Sequence, residues 1–175
     1  MRALICNNFG SFEDLSLQDL PDLHPLPDEV IIEVKAAGIN FPDLLTIRGE
    51  YQYKPSLPFI PGTEISGTVT RVGRSIKSRR VGDEVIAVQM GGFASQIAVP
   101  ESGTFLKPKN LSFEQGAGFA TTYGTGYYAL KQRGKLQPSE TVLILGAAGG
   151  VGVAAIQIAK AIGARVIASA STEDK

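Results

Sequence analysis

Apolar and polar positions follow two different patterns along the chain. Up to residue 120, short apolar runs rich in β-branched residues are separated by Gly, Pro and Asp, which is typical of a compact, mostly-β barrel. The third run alternates like a half-buried strand, with Val30, Ile32 and Val34 on one face and Ile31 on the other. The runs that predict strands are RALICNN, DLSLQDL, DEVIIEVKAAGI, GTEISGTVTRVG, GDEVIAVQ and FASQIAVP.

Helical patterns follow the β-rich runs. Phe113–Ala120 and Thr122–Arg133 are predicted to be helical, and a short helix is expected over Pro42–Arg48. We therefore expect a β-rich domain over residues 1–120. Residues 121–175 are expected to form a linking helix and the start of an α/β domain.

The segment from residue 140 to residue 170 predicts strand, glycine-rich turn, helix and strand. Thr141–Leu145 is apolar, as in a strand buried on both faces; Gly163 ends the helix and Arg165–Ala168 begins the second strand. Such a turn lets N–H groups at a helix N-terminus approach a pyrophosphate. A glycine-lined turn in some other parallel α/β domain is the alternative. The residues expected to contact a dinucleotide are Gly146, Ala147, Ala148, Gly149, Gly150, Val151 and Gly152.

The residues after the second strand indicate which dinucleotide is bound. NAD-binding folds carry an Asp or Glu about 20 residues past the glycines, but here the sequence is ASAST. The hydroxyls of Ser169, Ser171 and Thr172 and the cation of Lys175 would stabilise a 2′-phosphate. The pattern favours NADPH; the alternative is an ordinary polar loop with Lys175 solvated.

Only about the first βαβ unit of a doubly wound domain, which has two such halves, is recognisable here. We therefore expect this chain alone to be catalytically inactive. Its open sheet edge should favour association with other chains.

Charge and composition exclude several classes of protein. Lys plus Arg and Asp plus Glu both number 17, so a generally basic nucleic-acid-binding surface is not indicated. Arg74, Lys77, Arg79 and Arg80 cluster in the predicted connection Arg71–Asp83, expected to be a solvated loop, with nucleic-acid contact as the second interpretation. No apolar run reaches the roughly 18 residues of a membrane helix. Without a signal-peptide core, a cytosolic location is expected. The one cysteine, Cys6, is expected to be a buried small hydrophobe.

The order of these parts resembles the medium-chain dehydrogenase/reductase superfamily, and within it the quinone oxidoreductase (zeta-crystallin-like) group. The motifs that carry the resemblance are AAGINFPD at 36–43, PGTEISG at 61–67, VGDEV at 81–85, TTYGTGYYAL at 121–130 and AAGGVG at 147–152. The resemblance implies a mixed fold: a GroES-like β-rich barrel domain, then the first βαβ unit of a Rossmann domain. It also implies hydride transfer from NADPH to a quinone or α,β-unsaturated carbonyl, and a homodimeric full-length form. The alternatives are an enoyl-thioester reductase and a non-catalytic NADPH- or RNA-binding crystallin-like protein.

The resemblance also addresses metal binding. Zinc alcohol dehydrogenases carry a cysteine after AAG, where this chain has Ile39 and Asn40, and GHE where it has Gly62-Thr63-Glu64. A tetrahedral zinc site needs nitrogen or sulfur ligands, and the chain has one cysteine and one histidine. We therefore expect no metal, and Glu64 as a structural hydrogen-bond partner. His24 is expected in a surface loop. Without a Lewis acid, reduction of an activated acceptor is favoured over alcohol oxidation.

Two candidate catalytic residues follow the AAGI strand end. The amide of Asn40 is able to donate to a carbonyl oxygen or to the nicotinamide ribose, and the alternative is that it caps the helix expected near Pro42. Asp43 is expected to contact the same network or to lie in the first helical turn.

Three further candidates rest on the resemblance. Tyr51 matches a tyrosine that lines the substrate cleft, whereas a second cleft tyrosine of some relatives is replaced by Leu45, which makes the pocket more apolar. Thr63 and Thr125 match positions that face nicotinamide and phosphate. A structural role is equally open for Thr125, which lies in a predicted helix.

Overall fold

The structure is a computed structural model that describes residues 1–172. The chain divides into two compact units, one formed by Met1–Gly118 and the other beginning at Phe119. Each unit has a hydrophobic core of its own.

The first unit consists mainly of antiparallel strands. A two-stranded ribbon is formed by β1 (Arg2–Ile5) and β2 (Ser16–Asp19). The main sheet is formed by β3 (Glu29–Gly38), β4 (Glu64–Val72), β5 (Glu84–Val88), β6 (Gln96–Pro100) and β7 (Thr104–Leu106), in the order β6-β3-β4-β5-β7. Two helices accompany it, α1 (Phe41–Arg48) and α2 (Phe113–Ala117). The predicted β-rich first part is thus confirmed, with β7 as a strand that the sequence analysis missed.

The strand β3 lies in the centre of this unit. It pairs with β4 along one edge and with β6 along the other. Val30, Ile31 and Ile32 are all fully buried. The predicted half-buried alternation is therefore wrong at Ile31, because both faces of the strand are covered at this point.

A close approach of helix to strand fixes the end of β3. A Cβ atom on Gly38 would lie 2.2 Å from the backbone oxygen of Ala117, the last residue of α2. No larger residue fits without moving that helix. The glycine of the AAG motif is therefore required by packing, at the point where the chain leaves β3 for α1.

The segment before α2 is held by a buried lysine. The Nζ of Lys107 pairs with Glu84 Oε2 at 3.0 Å and donates to the backbone oxygen of Leu111 at 2.5 Å. It also lies 5.1 Å from the centre of the Phe113 ring, and the hydroxyl of Ser66 donates to the backbone oxygen of Phe113. These contacts fasten the start of α2 to the sheet.

The connection between β4 and β5 contains the basic cluster. Arg74, Lys77 and Arg80 are exposed, as expected for a solvated loop. Arg79 does not follow that expectation: it is half-buried, and its guanidinium donates to the hydroxyl and backbone oxygens of Thr104.

The second unit contains one parallel βαβ arrangement. It consists of β8 (Thr141–Leu145), α4 (Gly150–Ile162) and β9 (Arg165–Ser169), with β8 and β9 paired in parallel. Before it come α3 (Ala120–Tyr127) and a π-helical segment, Tyr128–Arg133. The start of an α/β nucleotide-binding fold is thus confirmed.

The helix bounds differ from those predicted. The predicted helix over residues 113–120 is interrupted, because α2 ends at Ala117 and Gly118 follows as its C-cap. Glycine has a low helix propensity and favours such a break. The next helix begins at Ala120 rather than at Thr122 and adopts π-helical turns from Tyr128 on.

The β8 strand is not buried on both faces, which corrects the prediction from its apolar sequence. Ile144 packs under α4, whereas Leu143 and Leu145 are 57% and 74% exposed. On β9, Ile167 is 47% exposed. Helix α4 covers one face of the strand pair, and the other face is an uncovered apolar surface in the part of the chain that the structure describes.

The one cysteine and the one histidine have the burial and exposure that the sequence predicts. Cys6 is buried, its thiol donates to the backbone oxygen of Asn8, and burial raises the pKa of the thiol. His24 is exposed in the loop before β3. None of the helices within residues 1–172 has the length and hydropathy needed to span a bilayer.

Replacement of Lys107 by Met should lower the free energy of unfolding by about 1–3 kcal/mol, because the Leu111 carbonyl loses a charged donor. Urea unfolding of the 175-residue chain measures this loss. Lys35→Met is the matched control, since its ion pair with Glu33 is exposed and exposed pairs contribute about 0–1 kcal/mol. Equal effects of the two substitutions would contradict the anchoring role of Lys107.

Candidate functional site

Asn40 lies at the junction of β3 and α1, where it is the N-cap of the helix. The carboxylate of Asp43 accepts a hydrogen bond from the Asn40 backbone N–H, at 2.8 Å. The side chain of Asn40 faces the backbone N–H of Asp43 in a capping box, and its Nδ2 also donates to Glu64 Oε2 at 3.1 Å. The predicted capping position and the predicted hydrogen-bonding role of Glu64 are both found.

Asp43 connects this junction to the start of β4. The hydroxyl of Thr63 donates to Asp43 Oδ1 at 3.0 Å. Asn40, Asp43, Thr63 and Glu64 therefore form one network, which we call the Asn40–Glu64 network. Asp43 is 2% exposed and Glu64 is fully buried, whereas Asn40 and Thr63 are half-buried.

The environment of Asp43 raises the pKa of its carboxyl group above its ordinary value. Burial is the main cause, and the nearby carboxylate of Glu64 acts in the same direction. Hydrogen bonds from Asn40 and Thr63 oppose it by favouring the ionised form. Asp43 therefore binds a proton more tightly than an exposed aspartate does.

Tyr51 is attached to the same helix through its main chain. Its backbone N–H donates to the backbone oxygen of Leu45, and its side chain is half-buried. No hydrogen bond within residues 1–172 joins the phenol to the Asn40–Glu64 network. The structure brings together Asn40, Asp43 and Thr63, and the role of Tyr51 stays a prediction.

The glycine turn of the second unit is shaped by its backbone. Gly146 has a left-handed φ of +62°, and the next N–H, that of Ala147, donates to the backbone oxygen of Ser169. A Cβ on Gly152 would lie 2.4 Å from the Gly146 oxygen, so the helix approaches the turn too closely for any side chain. At Gly149 the corresponding distance is 3.4 Å, an ordinary contact.

An open depression of about 570 Å³ lies beside this turn. Its lining consists of Gly146, Ala148, Gly149, Ser169, Ala170 and Ser171. Five of these six are predicted cofactor contacts, so the turn and the polar residues after β9 come together. A side chain at Gly149 would enter space that the fold leaves open, which suits the approach of a pyrophosphate to bare backbone.

The other predicted contacts occupy different surroundings. Ala147 is buried under α4, and Val151 is exposed on that helix. Thr125 is exposed on α3 and does not line the depression. Lys175 lies outside the described residues. Within residues 1–172, no three His, Cys, Asp or Glu side chains are grouped to hold a metal, and the absence of zinc stays a prediction.

Comparison with known proteins identifies the family. Residues 26–129 match the family described as "Alcohol dehydrogenase GroES-like domain". The chain is 42% identical to the "Quinone oxidoreductase-like protein 2 homolog" of Nematostella vectensis, over 98% of this chain and 48% of that protein. The chain therefore belongs to the GroES-like alcohol dehydrogenase family, in the quinone oxidoreductase branch of the medium-chain dehydrogenases/reductases, as its motifs predict.

Two solved structures agree with this assignment. The Escherichia coli quinone oxidoreductase complexed with NADPH is 35% identical, with a TM-score of 0.94 over 99% of this chain and 54% of that one. The CurK enoyl reductase is 36% identical, with a TM-score of 0.91 over 99% of this chain and 55% of that one. The chain spans about half the length of the curated relatives it matches.

Asp43→Asn should remove a pH dependence of stability. Because the folded-state pKa is raised, the folded chain binds this proton more tightly than the unfolded chain. The stabilisation from Asp43 is therefore complete below its ordinary value of 3.8 and is lost as pH rises through the folded pKa. The unfolding free energy of the wild type minus that of the variant should fall with rising pH across this window.

Chemical denaturation at a series of pH values tests this slope. Asp19→Asn, at the exposed end of β2, is the control for general electrostatic effects. A difference between wild type and Asp43→Asn that is flat, or that grows with pH, would contradict the raised pKa.

Gly149→Val and Gly152→Val should have different consequences. In a full-length form, the first should leave the fold intact and abolish NADPH binding, since its side chain projects into the depression. The second should unfold the βαβ unit, because its Cβ collides with backbone. Fluorescence titration with NADPH and far-ultraviolet circular dichroism separate the two effects. Gly124→Ala, where a Cβ meets nothing within 4 Å, is the control. Normal NADPH binding by Gly149→Val would leave the turn a purely structural feature.

Proposed function

We propose that the protein is an NADPH-dependent oxidoreductase that transfers hydride to a quinone or an α,β-unsaturated carbonyl without zinc. The observation that carries the proposal is the open glycine turn before α4, with hydroxyl groups in place of an acid after β9. The names of the relatives, quinone oxidoreductase-like proteins and an NADPH-bound quinone oxidoreductase, support it.

In this proposal the two units have separate tasks. Residues 1–120 form the catalytic domain, and residues 121–175 form the linking helix and the beginning of the NADP-binding domain. NADPH supplies the hydride. The first N–H groups of α4 hold the pyrophosphate, aided by the helix dipole, and Ser169 and Ser171 hold the 2′-phosphate together with Lys175.

The Asn40–Glu64 network and Tyr51 are proposed to act where hydride is transferred. Asn40 and Thr63 orient the nicotinamide end of the cofactor, and Tyr51 contacts the hydride acceptor. Asp43 holds Thr63 in place by accepting the hydrogen bond from its hydroxyl, and water supplies the proton that the reduced product requires. A homodimeric full-length form and a cytosolic location complete the proposal, since the family resemblance and the sequence imply them.

An enoyl-thioester reductase is the second candidate, because the CurK enoyl reductase resembles the chain as strongly as the quinone oxidoreductases do. Such an enzyme requires a basic groove for the phosphates of its thioester substrate. Consumption of NADPH with an acyl-CoA rather than a quinone would favour it. Consumption with neither would favour a non-catalytic binding protein.

In a full-length form, NADPH should bind more tightly than NADH, by about 10-fold to 100-fold, since charged hydrogen bonds to the 2′-phosphate contribute roughly 1.5–3 kcal/mol. Titration with each dinucleotide measures the two Kd values. Ser169→Asp and Lys175→Glu should each narrow or reverse the preference, and Ser75→Asp, in the first unit, should leave it unchanged. Equal or tighter NADH binding by the wild type would refute the choice of cofactor.

The 175-residue chain alone should not oxidise NADPH in the presence of quinones. Among the described residues the nucleotide unit has two strands and one long helix, whereas a dinucleotide site at the switch point uses both halves of the sheet. A quinone-dependent assay, run beside a mass measurement in solution, tests this. Turnover on the order of 10 per second would show that this chain suffices.

A further inference from the structure

Strand β7 lies at one end of the main sheet, with β5 as its neighbour on the inner side. The Lys107 N–H donates to the backbone oxygen of Glu84, the residue opposite it in this register, at 2.8 Å. Along an antiparallel strand, residues alternate between bonding to the partner strand and pointing their N–H and C=O groups away from it. Phe105 therefore bonds to β5 as Lys107 does. The backbone groups of Thr104 and Leu106 point outward, to the edge of the sheet.

Arg79 covers the outward oxygen of Thr104. Its Nη2 donates to that backbone oxygen at 2.7 Å, and its Nε donates to the Thr104 hydroxyl at 2.9 Å. The N–H of Thr104 is also occupied, since it donates to the backbone oxygen of Glu101. Both backbone groups of Thr104 are therefore engaged within the chain, and a cation lies where another strand would pair.

The carboxylate of Glu101 fixes the main chain from which the Arg79 side chain extends. Its Oε1 accepts from the N–H groups of Lys77 and Arg79, each at 3.1 Å, and from that of Ser78 at 2.6 Å. Glu101 itself begins the turn that leads into β7. Arg79 is therefore fastened beside the edge at two points, through its backbone and through its guanidinium.

The side chains on this edge are apolar and exposed, at 56% for Phe105 and 58% for Leu106. An edge strand of this kind is prone to pair with another chain, and a charged side chain on the edge is a common protection. Antiparallel pairing of two copies about a twofold axis would set the two Phe105 residues opposite each other. Each Thr104 oxygen would then accept from the Leu106 N–H of the other copy. That oxygen is the one to which Arg79 donates.

We propose that the outer edge of β7 is a pairing surface for a second copy of the chain, and that Arg79 keeps it closed. A second copy is the occupant because the pattern is self-complementary, with the acceptor of each strand opposite the donor of the other. Pairing requires both guanidinium groups to leave their Thr104 oxygens and brings two cations to one edge. A three-residue strand buries too little surface for a stable dimer, so the opened edge should pair transiently. The proposal goes beyond the proposed function and does not rest on it.

Phe105→Cys reports on this pairing. Opposed residues that exchange no hydrogen bonds have Cα atoms about 4.5 Å apart, within the range that a disulfide bridges. Copper phenanthroline oxidises the two thiols, which lose two electrons and two protons as the S–S bond forms. In the 175-residue chain, Phe105→Cys with Arg79→Met should cross-link at least about tenfold faster than Phe105→Cys alone, because a charged hydrogen bond no longer holds each acceptor.

Arg80→Met in the Phe105→Cys background is the matched control. It removes the same charge from the same loop, but Arg80 is exposed, so the cross-linking rate should stay that of Phe105→Cys alone. Glu101→Ala, which frees the main chain of Arg79, should give an intermediate rate.

The buried thiol of Cys6 serves as the folding control. It should stay unreactive in every variant, since a folded chain keeps it from the oxidant. If Arg79→Met makes Cys6 reactive, Arg79→Lys takes its place. Lysine keeps the charge but lacks the planar fork that reaches both Thr104 oxygens, so cross-linking should again be faster than in Phe105→Cys alone.

Three outcomes would overturn the proposal. They are equal rates with and without the substitution of Arg79, a rise as large in Arg80→Met, and peptide maps in which the disulfides join Cys6 rather than position 105. Association through the uncovered apolar face of β8 and β9 is common to all variants, so it leaves the ratio of their rates unchanged.

Discussion

The burial of two carboxylates, Asp43 and Glu64, is the constraint on which the Asn40–Glu64 network depends. A buried carboxylate is costly unless donors surround it. The chain supplies those donors from two segments: Asn40 follows β3, and Thr63 directly precedes β4. These hydrogen bonds restrict the conformations of Asn40 and Thr63. The same contacts therefore stabilise the buried acids and orient the polar groups of the network.

The packing of α2 against the sheet also supports the Asn40–Glu64 network. Gly38 allows α2 to approach β3 directly, and Lys107 and Ser66 hold the start of that helix against the sheet. The carboxylate of Glu64 lies close to this contact, since its Oε2 would be 3.5 Å from a Cβ on Gly38. The glycine turn of the second unit depends on missing side chains rather than on packed ones. It carries no side chain at Gly146 and Gly149, so that bare backbone lines part of the depression.

Local patterns predicted much of this architecture, and non-local pairing explains what they missed. The strand-rich first part, the glycine turn and the position of Asn40 before a helix all follow from neighbouring residues. The bond between Asn40 and Glu64 does not, because it depends on the pairing of Gly38 with Glu64 across β3 and β4. The errors at Ile31 and at Leu143 have a related cause. An apolar sequence indicates that a strand is able to be buried, whereas its burial depends on what the fold places over each face.

The loop between β4 and β5 has a consequence for the lifetime of the chain. It carries four Lys or Arg residues in a row of seven, each followed by a bond that trypsin-like proteases cleave. A protease must draw its substrate into an extended conformation, but the carboxylate of Glu101 accepts hydrogen bonds from the backbone N–H groups of Lys77, Ser78 and Arg79. The same bonds, led by that of Ser78, lower the pKa of Glu101, so the clamp stays charged well into the acid range. One surface carboxylate thus opposes proteolysis of the segment that carries these four cleavage sites.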